Sequence, residues 1–312
     1  MDRAQFNKGR TLVLSVLLAL LPSQIKAEAE REGCEQAAQH QLQSCRQEAQ
    51  AAFWTEVAKA DHLPTREERR EAIDDAREEL GATLQDCKEQ RRARIDLCEE
   101  LEESIYHPSV DPADFEVGVP NPYFPIEPGV TRVYSSETAD GTEEVVTTVT
   151  DATREILGVV CVVIHDVVYL EGDPIEDTLD YYANDASGNV WYMGEDSVEI
   201  ENGIIVSVHG SWIAGVDGAK PGIIMKATPL VGDVYRQEFA AGDAEDAARV
   251  VSLSEEVTVP FGTFMDCLQT EDFTPVEPGF SEYKYYAPGV GAVLEVNPET
   301  GEELVLIDVM FP

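Results

Sequence analysis

Four cysteines constrain this chain more than any other feature. Cys34, Cys45, Cys87 and Cys98 form two pairs of identical internal spacing, each C-x10-C. Eleven residues make about three helical turns, so each pair falls on one face of a helix. The flanking sequence has helical periodicity. Cys34, Ala38, Leu42, Cys45, Ala49, Phe53 and Val57 form a stripe across a segment expected to run from Glu32 to Ala60. A second helix is expected from Thr65, an N-cap followed by Arg66-Glu67-Glu68, to Ser104. Asp61-His62-Leu63-Pro64 breaks the pattern between them. Two cysteines of one helix lie about 16 Å apart, beyond the roughly 7 Å reach of a disulfide, so the bridges must cross between helices. Facing residues of an antiparallel hairpin share one index sum. Cys34 with Cys98 and Cys45 with Cys87 both give 132, whereas the other crossed pairing gives two different sums. The predicted bridges are therefore Cys34–Cys98 and Cys45–Cys87, and the shared sum centres the hairpin at residue 66, beside Pro64. Disulfides at this density imply an oxidising compartment.

The N-terminus carries a matching export signal. Arg3, Lys8 and Arg10 precede an apolar run, Thr11 to Leu21, and the short-residue site Ile25-Lys26-Ala27 follows. Cleavage is expected after Ala27. The apolar run is about half of the roughly 20 residues that span a bilayer, so a retained anchor is the weaker reading. Cys34 lacks the small-residue context of a lipid-attachment site. The expected location is periplasmic or extracellular.

Charge divides what remains. Residues 28–103 hold 21 acids and 11 bases, and residues 104–312 hold 39 acids and seven bases. A field of that sign repels nucleic acid and anionic lipid. It leaves basic partners, cations, or simple solubility in salt as its uses. The expected organisation is a leader at 1–27, a helical hairpin at 28–104, a proline-rich linker or strap at 105–122 and an acidic β domain at 123–312. The hairpin itself would serve as a rigid arm, for homo-oligomerisation or partner docking, or pack against the β domain.

From Pro128-Gly129 onward the texture is that of strands. Val- and Thr-rich runs are expected at Glu143–Thr150, Leu157–Leu170, Asp180–Tyr192, Ile204–Trp212, Val250–Val259, Ser281–Leu294 and Leu304–Val309. Turn signals such as Asp140-Gly141, Asn202-Gly203 and Thr300-Gly301 separate them. The fold class is α+β: a disulfide-stapled antiparallel helical hairpin followed by a mainly antiparallel β half-barrel or sandwich.

Three resemblances accompany this reading. Asn121-Pro122-Tyr123-Phe124-Pro125, Gly188-Asn189-Val190-Trp191-Tyr192, Gly210-Ser211-Trp212 and Tyr285-Tyr286-Ala287-Pro288-Gly289-Val290-Gly291 make residues 121–296 resemble an uncharacterised group of exported bacterial proteins. The last segment is also similar to the closing strand of lipoprotein-carrier-like half-barrels, which implies a sheet curved around a pocket. The hairpin resembles the twin-cysteine hairpins of small exported or intermembrane-space proteins, with ten residues between cysteines where nine is commonest. None of these implies an activity.

The candidate sites follow from the β domain. Tyr181, Tyr182, Trp191 and Tyr192 occupy both arms of one hairpin, and alternation sends one of each adjacent pair to either face. Tyr182, Trp191 and Trp212 would line an apolar or carbohydrate-like ligand site, with Arg236 as its charged member. Arg236 shares a strand face with Glu238, so a structural ion pair competes with that role. Asn184–Asn189 fails the EF-hand pattern, which needs carboxylates where Ala183 and Gly194 stand. It reads as a β-turn about Gly188, with a non-EF calcium site at Asp185, Asn189 and Glu195 as the alternative. His107, His165 and His209 have no metal-ligand spacing, and no Gly-x-Ser-x-Gly turn occurs. Cys161 and Cys267 either bridge adjacent strands or remain buried thiols. The expected function is that of an exported, non-enzymatic protein binding a small molecule or protein partner. A divalent-cation-binding or halo-adapted structural protein is the first alternative, and a carboxylate-based hydrolase the second.

Overall fold

Thr65 starts the second helix with a reciprocal cap: its hydroxyl accepts from the Glu68 amide while the Glu68 carboxylate accepts from the Thr65 amide. This fixes the hairpin turn between α1 (Pro22–Ala60) and α2 (Arg66–Glu100). A computed structural model of the chain describes residues 22–101, 105–116 and 118–312. The leader assigned to 1–27 falls mainly on residues 1–21, and the expected end of α2 on 102–104, both outside the described residues. The first helix begins ten residues before the expected Glu32. All seven residues of the Cys34-to-Val57 stripe are buried or half-buried. Disulfides join Cys34 to Cys98 and Cys45 to Cys87, with Cα separations of 6.5 and 5.8 Å. Bridges of this kind contribute about 2–4 kcal/mol each, which offsets a thin, alanine-rich helix interface.

The hairpin lies against the β domain. Arg94, buried on α2, donates through Nε to both carboxylate oxygens of Glu245, at 3.0 and 2.8 Å. Gln41 of α1 and the Gly242 amide donate to the same carboxylate, at 2.6 and 2.7 Å. Arg249 reaches Glu100 at 2.6 Å, and Gln90 Nε2 donates to the Val276 carbonyl at 2.8 Å. The proline-rich segment, with a 3-10 turn at Pro112–Phe115, is a strap laid on the same domain. Its buried Asn121 donates to the carbonyls of Gly188 and Lys226.

The strands are β1 (Thr131–Thr138), β2 (Gly141–Ile156), β3 (Val159–Leu170), β4 (Asp173–Asn184) and β5 (Val190–Glu201). Then follow β6 (Ile204–Ser207), β7 (Trp212–Ile213), β8 (Lys220–Met225), β9 (Val234–Arg236) and β10 (Glu238–Phe239). The last five are β11 (Ala247–Val259), β12 (Gly262–Phe273), β13 (Ser281–Ala287), β14 (Gly291–Val296) and β15 (Glu303–Met310). They form one antiparallel sheet, ordered β10-β8-β5-β4-β3-β2-β1-β15-β14-β13-β12-β11-β9, with β6 and β7 paired to β5. The two ends of this path, β9 and β10, are consecutive in the chain and divided only by Gln237. The sheet therefore rolls until both edges meet one segment. A side chain at Gly222 on β8 would strike the Gln237 carbonyl group at 2.2 Å, so glycine there permits the closure.

Several expectations change. The expected strand Ile204–Trp212 is split into β6 and β7 around a turn, and Leu157-Gly158 turns β2 into β3 with both residues at positive φ. Asp180–Tyr192 covers the end of β4, a turn and the start of β5. The strands β1, β8 and β12 were not anticipated, because acids and threonines interrupt the apolar pattern of β1 and β12 and Pro221-Gly222 that of β8. Cys161 and Cys267 do not bridge: both thiols are free and buried, Cys161 on β3 and Cys267 on β12. Those strands are not neighbours in the sheet, and the two thiols belong to separate apolar clusters.

Replacing Arg94 with Met strands the Glu245 carboxylate in an apolar junction. The expected cost is about 3–5 kcal/mol in chemical denaturation, with most of it recovered in the Arg94→Met/Glu245→Met double variant. An unchanged unfolding midpoint in the single variant would show that the hairpin is not held there.

Candidate functional site

The rolled sheet surrounds a half-open lumen of about 380 Å³, and alternation along each strand decides what faces it. On β4, Tyr182 points inward while Tyr181 turns outward beneath the Arg154 guanidinium, 4.5 Å from its ring. On β5, Tyr192 points inward while Trp191 turns outward against Phe115 of the strap. Here the β4–β5 register slips between Tyr181 and Tyr182. An extra residue in a strand re-aims those that follow, so Tyr192 and Glu195, three positions apart, both reach the lumen. Gly194 makes the slip possible: its φ is 143°, and a Cβ there would lie 2.5 Å from the Trp212 carbonyl oxygen. The result is a continuous aromatic row. Phe124 meets Tyr182 edge-on at 5.1 Å, Tyr182 stacks on Tyr192 at 4.6 Å, and Tyr192 meets Trp212 edge-on at 5.3 Å.

Carboxyl groups flank this row. Asp180 accepts from the Tyr192 hydroxyl at 2.5 Å, and Glu238 of β10 accepts from Trp212 Nε1 at 2.9 Å. Glu195 stands between them in the wall, and Asp166 of β3 accepts from Thr147 at 2.6 Å. Burial is the chief cause of their titration. It pushes Glu195 up to about 7 and Asp166 up to about 6. Asp180 and Glu238 lie well above the usual carboxylate range, again by burial first and then by repulsion among these acids.

The other arc of the sheet carries a second acidic group, but with a cation inside it. Lys284 of β13 lies 3.5 Å from Glu295, 3.6 Å from Glu282 and 3.9 Å from Asp272. Burial alone would lower its ammonium. The surrounding carboxylates outweigh burial and hold it well above the usual lysine value. Asp272 Oδ2 accepts from Gln237 Nε2 at 3.0 Å, and the residue lines the lumen beside Thr270 of the same strand face. Eight carboxyls line the cavity against two cations, Lys284 and Arg132. Among the described residues, no three His, Cys, Asp or Glu side chains converge as a metal shell would require.

The sequence-derived candidates are distributed unevenly over this geometry. Tyr182 lines the lumen, and Trp212 ends the aromatic row. Trp191 lies outside, donating through Nε1 to Asp185 at 3.0 Å. Arg236 is also outside, buried beneath the strap with its guanidinium over the rings of Tyr106 and Phe239. Asp185 and Asn189 meet in the β4–β5 turn, where both Asp185 oxygens are taken: Oδ1 by the amides of Ser187 and Asn189, Oδ2 by Asn189 Nδ2 and Trp191. Those donors overcome burial and hold the Asp185 carboxyl below its ordinary range. Glu195 is apart from that pair, in the lumen. Apart from Glu195, named for a calcium site, and Glu238, named as a partner of Arg236, the acids of the lumen and Lys284 were not anticipated, although the run Glu282, Lys284, Tyr286 puts two charges and an aromatic on one strand face.

No family model matches the chain, and no curated protein matches it. Among solved structures, the fold is similar to that of a "putative lipoprotein" from Parabacteroides distasonis, at 13% identity and a TM-score of 0.34, covering 62% of this chain and all of that one. Among the described residues, no helix is long and apolar enough to cross a membrane.

A carboxyl whose pKa is raised on folding favours the folded state while protonated and loses that contribution as pH climbs through the folded value. For Glu195 the window runs from 4.5 to about 7, and for Asp166 from 3.8 to about 6. The ligand-free protein should therefore be more stable at pH 5 than at pH 8. Asp180 and Tyr182 of β4, Glu238 of β10 and Asp246 before β11 crowd the same space. Glu195→Gln should flatten the loss by roughly 3 kcal/mol at most. Denaturant melts of both proteins across that range test it, and parallel pH profiles would refute it.

Proposed function

We propose that this is an exported, non-enzymatic binding protein that holds a small organic ligand in the lumen of its rolled sheet, with the disulfide-stapled hairpin as a docked support. The observation that carries this reading is the lumen wall itself, an aromatic row of Phe124, Tyr182 and Tyr192 flanked by Asp180, Glu195 and Glu238, with no lysine or arginine in that part of the lining. The cavity volume is at the small end of the 300–1,000 Å³ typical of ligand sites. Export is supported by the charged, apolar N-terminal pattern and by two disulfides, which persist in oxidising compartments.

A carboxylate-based hydrolase would need a different arrangement. Acid–base catalysis by two carboxyls depends on environments that drive their pKa values apart, one kept ionised and its partner protonated. In this lumen Asp166, Asp180, Glu195, Glu238 and Asp272 are all shifted upward, each chiefly by burial. That pattern suits groups awaiting a countercharge better than an acid and base in division of labour.

Native mass spectrometry of the full protein, purified from an oxidising compartment of its own host, should show a retained small molecule. Filling the lumen with Ala292→Phe or Ile224→Trp should abolish retention while circular dichroism stays unchanged. Retention that persists in both folded variants, or a wild-type protein that carries nothing, would remove the lumenal site.

A further inference from the structure

Resting on the lumenal reading above, we infer that the ligand is an organic amine, its apolar body along Phe124, Tyr182, Tyr192 and Trp212 and its ammonium met by Asp180, Glu195 and Glu238. The protein supplies its own precedent. One arc of the lumen carries Asp272, Glu282 and Glu295, and Lys284 places an ammonium among them at 3.5–3.9 Å. The arc with the aromatic row carries as many acids and no lysine or arginine in the lining. A cationic ligand completes there what Lys284 completes opposite. Aromatic faces strengthen the match, because a ring quadrupole attracts a cation and does so most when water is excluded. Tyr182, Tyr192 and Trp212 are all buried.

Competing ligand classes fit less well. An anion would enter a lumen with eight carboxyls and two cations. A neutral ligand would leave the carboxyls of the aromatic arc in a desolvated space without countercharge. A bare metal ion needs three or more ligands converging at bonding distance, and no such group occurs among the described residues. An ammonium among carboxyls tolerates the looser spacing seen around Lys284.

Three compounds with one phenolic body and different charge separate these classes: tyramine, neutral tyrosol and anionic hydroxyphenylacetate. Calorimetry on the full, disulfide-bonded protein should give tyramine an affinity on the order of tenfold or more above tyrosol, with no heat from hydroxyphenylacetate. Glu195→Gln and Asp180→Asn, each isosteric, should erase most of the tyramine preference and leave tyrosol unaffected. Equal or tighter binding of tyrosol, or no binding of any of the three, overturns the amine assignment. A neutral or anionic molecule retained in native mass spectrometry, and lost from the filled-lumen variants, would also overturn it while leaving the lumenal site standing.

Discussion

The structure depends on how one stretch of chain, Val234–Phe239, serves two sheet edges. Its first half pairs with β11 and its second with β8, and Gln237 at the break is held from both sides. The Gln237 amide donates to the Asp246 carbonyl at 2.8 Å, and its side chain reaches Asp272. A rolled antiparallel sheet that stops short of closure leaves its interior open to water, where carboxylates titrate normally. Closure restricts that water to a half-open mouth. The unusual electrostatics of the lumen are therefore a consequence of topology, and Gly222, by admitting the Gln237 backbone, is as much part of the site as the acids are.

The hairpin stands in a defined relation to this closure. Glu245, the carboxylate that receives Arg94 and Gln41, is eight residues beyond Gln237 in the turn leading into β11. The segment at 274–280 touches both compartments, with Phe273, Thr274 and Phe280 lining the lumen and also a shallow groove against Glu89, Arg92, Ala93 and Asp96 of α2. Two disulfides make the hairpin stiff enough to act as a brace. A single helix of this composition, rich in charge and poor in apolar surface, would gain too little from packing to hold that position by itself.

The hairpin was legible in the sequence and the lumen was not, for a physical reason. Helix geometry fixes a rise and a phase, so four cysteine positions determine both a register and a turn. Sheet interiors are read from alternation of apolar and polar residues, and that signal assumes the buried face is apolar. Here Asp180, Glu195, Asp272 and Glu282 occupy inward positions. Within a domain so rich in acid they are indistinguishable from its solvent face. The same masking hid β12, whose inward Asp272 looks like an exposed residue. Trp191 and Tyr192 were rightly separated onto opposite faces by alternation, but which of them faced the cavity depended on the β4–β5 register slip that Gly194 allows. Arg236 was a candidate as the charged member of the site, with a strand-face pairing to Glu238 as the competing role. The strap, whose position no local pattern records, covers it.

Net charge of this magnitude is ordinarily a surface property, where screening by salt makes each carboxylate cheap. That account does not reach the lumen. A buried carboxyl without a countercharge costs free energy in either state, by desolvation of its charge when ionised and by burial of a neutral polar group when protonated. Apolar residues of similar volume in the same positions would give a more stable protein. Lys284 shows that the fold can supply a cation where one is needed for structure, since it sits among three acids and is held protonated by them. The aromatic arc lacks such a residue although its acids are as deeply buried. One acidic wall is thus satisfied internally, and the facing one is left open. The open wall is the one bordered by aromatic faces.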